Sequence, residues 1–176
     1  AQDYLGVTEE EEVYIKFGDD FRRVFSTYAG PDEFSPTKNL SAGMNYRTPF
    51  GIERAGIGYG QPDNHPLAEA NLEQIHAYQW PDPDWIDVSN INQDACKYDG
   101  KYAILGGEWS PFWHDAIDLL GMENLLIKMY EEPEIVAAVL KHIVDYYTVV
   151  TQRIFEEAGD IIDIFFIGND FGSQTG

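Results

Sequence analysis

Cysteine is almost absent from this chain, with Cys96 alone among 176 residues. One thiol excludes an internal disulfide and a multi-cysteine metal site within this stretch, and it fits a reducing compartment. Its neighbourhood predicts a small buried apolar residue on a helix. Basic residues are also scarce, 11 Lys and Arg against 31 Asp and Glu, for a formal charge of -20. That deficit argues against a nucleic-acid partner, because tracking phosphates needs clustered cations. Long apolar runs are missing too: none approaches the roughly 18 to 20 residues of a membrane span. The start, Ala1-Gln2-Asp3-Tyr4, has no basic segment followed by an apolar one. The expectation is a soluble, cytoplasmic protein with no membrane partner.

What is present suffices for a core, since 44% of residues are hydrophobic and 14% aromatic. No internal repeat or low-complexity segment divides the chain, so residues 1–176 are read as one domain. The acidic patches Glu9 to Glu12 and Glu131, Glu132 and Glu134 read as solvated helix starts.

Thr8 and Glu11 have capping-box spacing for a short helix carrying Val13, Tyr14 and Phe17, which Gly18 stops. Residues 20–25 read as a strand, and 29–66 as a long irregular excursion in which Phe50-Gly51-Ile52 belongs to a hairpin. Asn71 caps a helix through Tyr78. The prolines of Trp80-Pro81-Asp82-Pro83-Asp84 make a rigid turn, and a helix from about Trp85 to Lys97 follows. Residues 102–107 form a short apolar run ending in glycines, as a buried parallel strand does. Residues 112–130 read as helical. From Glu134 to Ala158, Ile135, Val139, Ile143, Tyr147, Val150 and Ile154 recur at steps of three and four, giving a long amphipathic helix that Gly159 ends. Residues 160–167 are a second apolar strand.

Two buried strands joined by a mainly helical crossover run parallel, which places the chain in the α/β class. A strand near 167 with no helix after it leaves apolar surface and a bare edge, to be covered either by strands of another chain or by residues beyond this stretch. Since a (β/α)8 barrel takes about 250 residues, the length covers roughly half of one.

Ligands of parallel α/β folds sit at strand carboxyl ends, and three places hold suitable chemistry. Asp19 and Asp20 precede Arg22 and Arg23, a carboxylate to accept a ligand N–H beside guanidinium forks for carboxylates. After Gly107, the run Glu108-Trp109-Ser110-Pro111-Phe112-Trp113-His114-Asp115 offers close backbone approach, flat aromatic walls and a His114/Asp118 pair on one helical face. Asn169 and Asp170 follow a wholly apolar strand, where a buried carboxylate needs a partner. Gly56-Ile57-Gly58-Tyr59-Gly60 looks like a phosphate loop, but no capped helix follows, and a hairpin turn explains it better. His65, His76 and His142 have no ligand spacing.

In order, Phe17-Gly18-Asp19-Asp20-Phe21-Arg22-Arg23-Val24, Trp80-Pro81-Asp82-Pro83-Asp84, Leu105-Gly106-Gly107, Gly121-Met122-Glu123-Asn124, Met129-Tyr130-Glu131-Glu132-Pro133-Glu134 and residues 163–172 resemble the uroporphyrinogen decarboxylase superfamily, which includes corrinoid-dependent methyltransferases. The resemblance implies a TIM (β/α)8 barrel, with a C-terminal half and a short N-terminal segment lying outside this stretch. In the decarboxylase an aspartate on the first barrel strand binds pyrrole N–H groups, and Asp20 looks like its counterpart. That enzyme's tyrosine after the next glycine-ended strand falls near His114 or Asp115 and is not preserved.

The ending Gly168-Asn169-Asp170-Phe171-Gly172-Ser173-Gln174 looks closer to the methyltransferase-like branch. That branch uses zinc, held by late His and Cys residues outside this stretch, to activate a thiol that takes a methyl group from a corrinoid. The resemblance therefore implies methyl transfer with Asp20, His114 and Asp170 as catalytic residues. Arg22, Arg23, Gly107, Trp109, Asp115 and Asn169 would bind a corrinoid or tetrapyrrole, free or presented by a corrinoid protein, and a homodimer is compatible. The alternatives are a cofactor-free uroporphyrinogen decarboxylase of porphyrin biosynthesis, where Asp20 stabilises a protonated pyrrole, and a barrel that binds a tetrapyrrole without catalysis.

Overall fold

A computed structural model describes residues 1–35, 46–55, 60–107 and 109–169. Helices α1 (Gln2–Leu5) and α2 (Glu10–Phe17) precede β1 (Phe21–Arg23). The start of α2 is closed by Glu12 rather than by the predicted Thr8/Glu11 pair: its carboxylate accepts from the N–H groups of Thr8 and Glu9 at 3.3 and 3.4 Å. Glu11 is thereby free for a longer-range bond to Arg22.

The irregular excursion contains β2 (Thr27–Tyr28), β3 (Tyr46–Arg47), β4 (Glu53–Ala55) and β5 (Gln61–Pro62). Strands β3, β4 and β5 form an antiparallel sheet in that order, with Phe50-Gly51-Ile52 in the first turn as expected. Residues 56–59 of the glycine-rich run lie outside the described residues. Helix α3 (Leu72–Ala77) starts at Asn71, whose side chain accepts from the Gln74 N–H while Gln74 accepts from the Asn71 N–H.

The helix predicted from Trp85 to Lys97 is shorter. A 3-10 turn (Pro83–Trp85) and β6 (Ile86–Asp87), antiparallel to β2, take its first part, and α4 (Ile91–Cys96) its second. Ile91 and Ala95 face the core, but Cys96 is exposed, against expectation. One step past Ala95 turns its side chain about 100° around the helix.

Strand β7 (Ala103–Gly106) is followed by α5 (Phe112–Leu120), α6 (Met122–Glu131), α7 (Pro133–Ala158) and β8 (Ile164–Phe165). The predicted 112–130 helix is two helices because Gly121 has φ +81°, which breaks the helical path and which L side chains rarely adopt. Helix α7 is the organiser of the core. Its stripe of Ile135, Val139, Ile143, Val150 and Ile154 is buried, and it packs against α3, α4, α5 and α6.

Strands β1, β7 and β8 form one parallel sheet in chain order, with Phe21 opposite Ala103, Arg23 opposite Leu105, and Leu105 opposite Ile164. Alternation then sorts the side chains onto two faces. Arg22, Val24, Ile104, Gly106 and Phe165 face the helices, while Phe21, Arg23, Leu105 and Ile164 face away. The architecture is mixed α/β with small sheets, and the described residues contain no closed barrel. No helix among them is long and apolar enough to cross a membrane.

Candidate functional site at the carboxyl ends of the parallel strands

Parallel pairing brings the exits of β1, β7 and β8 to one end of the sheet. The exit of β7 depends on glycine: Gly107 has φ +121°, and a Cβ there would lie 2.9 Å from the Phe166 carbonyl oxygen. Trp109 follows, 55% exposed. Its indole lies so close over Gly168 that a side chain at that position would overlap it.

Asn169 ties the two loops together. Its Nδ2 donates to the Ser110 carbonyl at 3.1 Å, and its Oδ1 accepts from the Trp113 N–H at 2.9 Å. Pro111, which precedes α5, gives it no local side-chain cap, so Asn169, from beyond β8, supplies the acceptor its first turn needs. At the exit of β1, the exposed Arg23 sets its guanidinium carbon 4.9 Å from the Phe166 ring centre and 5.6 Å from that of Phe25. A cleft of about 300 Å³ lies beside it, lined by residues 23–27 with Asp94, Lys97 and Tyr98. The structure thus brings Arg23, Gly107, Trp109 and Asn169 to the same end.

Other expected site residues lie elsewhere. Asp20 is exposed and precedes β1, and its carbonyl accepts from the Ala103 N–H at 2.9 Å. It therefore sits at the amino end of the sheet, opposite Asn169. Arg22 belongs to the fold rather than to a ligand. It is 3% exposed, grips both Glu11 carboxylate oxygens at 2.8 to 3.1 Å, and donates to the Asp19 and Phe21 carbonyls at 2.9 and 2.6 Å. Its guanidinium also lies 3.7 Å from the centre of the Tyr102 ring. Glu108 and Asp170 fall outside the described residues.

His114, Asp115 and Asp118 occupy α5, but the two carboxylates turn inward. Asp115 is buried and accepts a 2.6 Å bond from the Tyr147 hydroxyl of α7. Burial pushes its carboxyl up to about 7; the Tyr147 bond opposes that shift and the negative charge of Asp118 adds to it. Asp118 pairs with Arg54, both nearly buried, and its backbone carbonyl accepts from His65 Nδ1 at 2.7 Å. Burial raises the Asp118 carboxyl as well, against Arg54, His114 and His65, which lower it. With its carboxyl raised to about 7, Asp115 can exchange a proton near neutrality, between helices rather than at the sheet's open end.

Sequence reasoning missed Arg54, His65 and Tyr147. Arg54 and Asp118 are 64 positions apart, and the Tyr147 hydroxyl was hidden in an otherwise apolar stripe. Asp115 and Asp118, three apart on one helix, were the available signal. No protein-family model matches this sequence, and no curated protein or solved structure matches it.

Proposed function

We propose that the protein is an enzyme of the uroporphyrinogen decarboxylase superfamily, in which these strands form part of a (β/α)8 barrel, and that it transfers a methyl group between a corrinoid and a thiol or similar acceptor. The observation that carries this reading is the parallel order β1-β7-β8 in chain sequence, with Arg23, Gly107, Trp109 and Asn169 at one end. The apolar face turned from the helices would be the barrel's inner wall, since parallel sheets are normally covered on both faces. The motif order supports the same family.

In this reading the chain's own residues bind and orient. Gly107 leaves the backbone open to close approach by a flat macrocycle, and Trp109 offers a flat wall to stack on. Arg23 donates to carboxylate or amide substituents at the ring's edge. Asn169 holds the Trp109 loop against the end of β8 and acts as a positioning residue. Among the described residues no group of three or more His, Cys, Asp or Glu side chains is placed to hold a metal ion. The exposed Cys96 lies on α4. The zinc ligands that the resemblance implies belong to residues outside this stretch.

Asp20, at the amino end of the sheet, takes no part in the pocket drawn here, and decarboxylation, which would use that carboxylate on pyrrole N–H groups, is the alternative. The test is to give the protein methylcobalamin with a thiol, and uroporphyrinogen in parallel, recording absorbance and zinc content. Demethylation that Trp109→Ala and Arg23→Ala weaken is expected. Absence of corrinoid binding and of demethylation overturns the reading, and consumption of uroporphyrinogen instead would assign a carboxy-lyase.

A further inference from the structure

Far from each other in the chain, His76 on α3 and His142 on α7 meet ring to ring. His76 Nδ1 and His142 Nε2 are 3.2 Å apart, and the rings are inclined at 60° with centres 5.5 Å apart. Two imidazole nitrogens at that distance share one proton in a hydrogen bond, or share one metal ion. With metal–nitrogen bonds of 2.0–2.1 Å, a separation of 3.2 Å corresponds to a nitrogen–metal–nitrogen angle of roughly 100°, close to the tetrahedral value.

The pair is also held in place. His142 stacks on Trp80 with ring centres 4.5 Å apart and planes at 9°. Trp80 is fixed in turn by its Nε1–H, which donates to the Ile75 carbonyl at 2.9 Å. A ring pinned this way loses little freedom on binding an ion. His76 is exposed, so water can reach the remaining coordination positions. Partial burial and the neighbouring His76 lower the His142 pKa, which favours the neutral form that ligates. The overall charge of -20 attracts cations.

We propose that His76 and His142 form a two-imidazole binding site for a divalent first-row transition-metal ion of the zinc and copper class, completed by water. Imidazole nitrogen suits Zn2+, Cu2+ and Ni2+, and the hard cations Mg2+ and Ca2+ prefer oxygen. Binding displaces the proton held between His76 Nδ1 and His142 Nε2. In the neutral pair it moves through water to the far nitrogen of the ring that donated it, so that His76 is protonated on Nε2 and His142 on Nδ1 and none is released, whereas a pair carrying one positive charge releases one.

Stacked Trp80 gives the test a local reporter. The protein is titrated with Cu2+, with Zn2+ as competitor, while tryptophan fluorescence and calorimetry are followed. One Cu2+ per chain is expected to quench the Trp80 contribution, and Zn2+ to compete with it. Trp80→Phe should remove that quenching while calorimetry still records the ion. His76→Ala, an exposed position expected to fold normally, and His142→Gln should each weaken binding at least tenfold. The proposal is overturned if no ion binds, if Zn2+ does not compete, or if His76→Ala with an unchanged circular dichroism spectrum binds Cu2+ as the parent does.

Discussion

The two faces of the parallel sheet are built from adjacent residues, yet they live in different surroundings. On the helix side, Ile104 is 1% exposed and Phe165 stacks on Phe155 of α7 at 4.9 Å. On the other side, Phe21, Phe25 and Ile164 are 48%, 55% and 40% exposed. Arg22 and Arg23 mark the divide: one is enclosed by Glu11 and Tyr102, the other reaches over Phe166 into the open. The covered face fixes the fold, because its groups have exchanged water for protein partners. The open face is where substitution should alter binding with little effect on stability.

Breaking the covered side should have the largest effect. Arg22→Ala removes a bidentate ion pair and a stacked cation, leaving Glu11 to find water. A loss of about 2–3 kcal/mol in urea denaturation is expected, below the cost of a wholly buried pair because Glu11 is part exposed. A change within error would place Arg22 with the surface arginines and dissolve the contrast.

Asp115→Asn should act in the other direction, and only at higher pH. The folded carboxyl titrates near 7, above the unfolded value, so the folded state holds the proton more tightly. Its contribution is full below about pH 4 and is lost as pH rises through 7. Asparagine removes the ionisation and still accepts the Tyr147 bond. The variant should gain about 1–3 kcal/mol at pH 8 and almost nothing at pH 4. Equal effects at both values would show that Asp115 is not the titrating group.

Much of the helical side was legible in the sequence, because helices are local. The stripe of α7 and the Asn71 start of α3 follow from spacing within a few residues. Strands were legible as apolar runs, but their limits were not: residues 160–167 read as strand, and only Ile164 and Phe165 pair. Pairing depends on a neighbour, so β8 ends where β7 ceases to oppose it. The site was half visible. The position of Gly107, Trp109 and Asn169 at the strand exits followed from their place after apolar runs. Arg22 was misjudged because its partners, Glu11 and Tyr102, are set by tertiary packing.

Asn169→Ala tests the link between the segments that follow β7 and β8. It removes the acceptor for the Trp113 N–H and the donor to the Ser110 carbonyl, so α5 loses its remote cap. About 1 kcal/mol of destabilisation is expected, with a shift in tryptophan emission as Trp109 loosens from Gly168. Unchanged emission would show that the aromatic contact holds the loop by itself.

Arg23→Ala should change stability least, and that is its value. The side chain is exposed and its cation–π contacts to Phe25 and Phe166 are made in the presence of water, where such contacts contribute little. Denaturation midpoints should coincide with the parent's. If the proposed methyl-transfer reading holds and Arg23 meets the corrinoid at the carboxyl end of β1, binding of methylcobalamin should nonetheless weaken by about tenfold, equivalent to ~1.4 kcal/mol. A stable variant with undiminished binding would leave the open face without a ligand contact at Arg23. A destabilised one would mean that Arg23, like Arg22, is held by the fold, and the division between the faces would fail at the pair of residues that defines it.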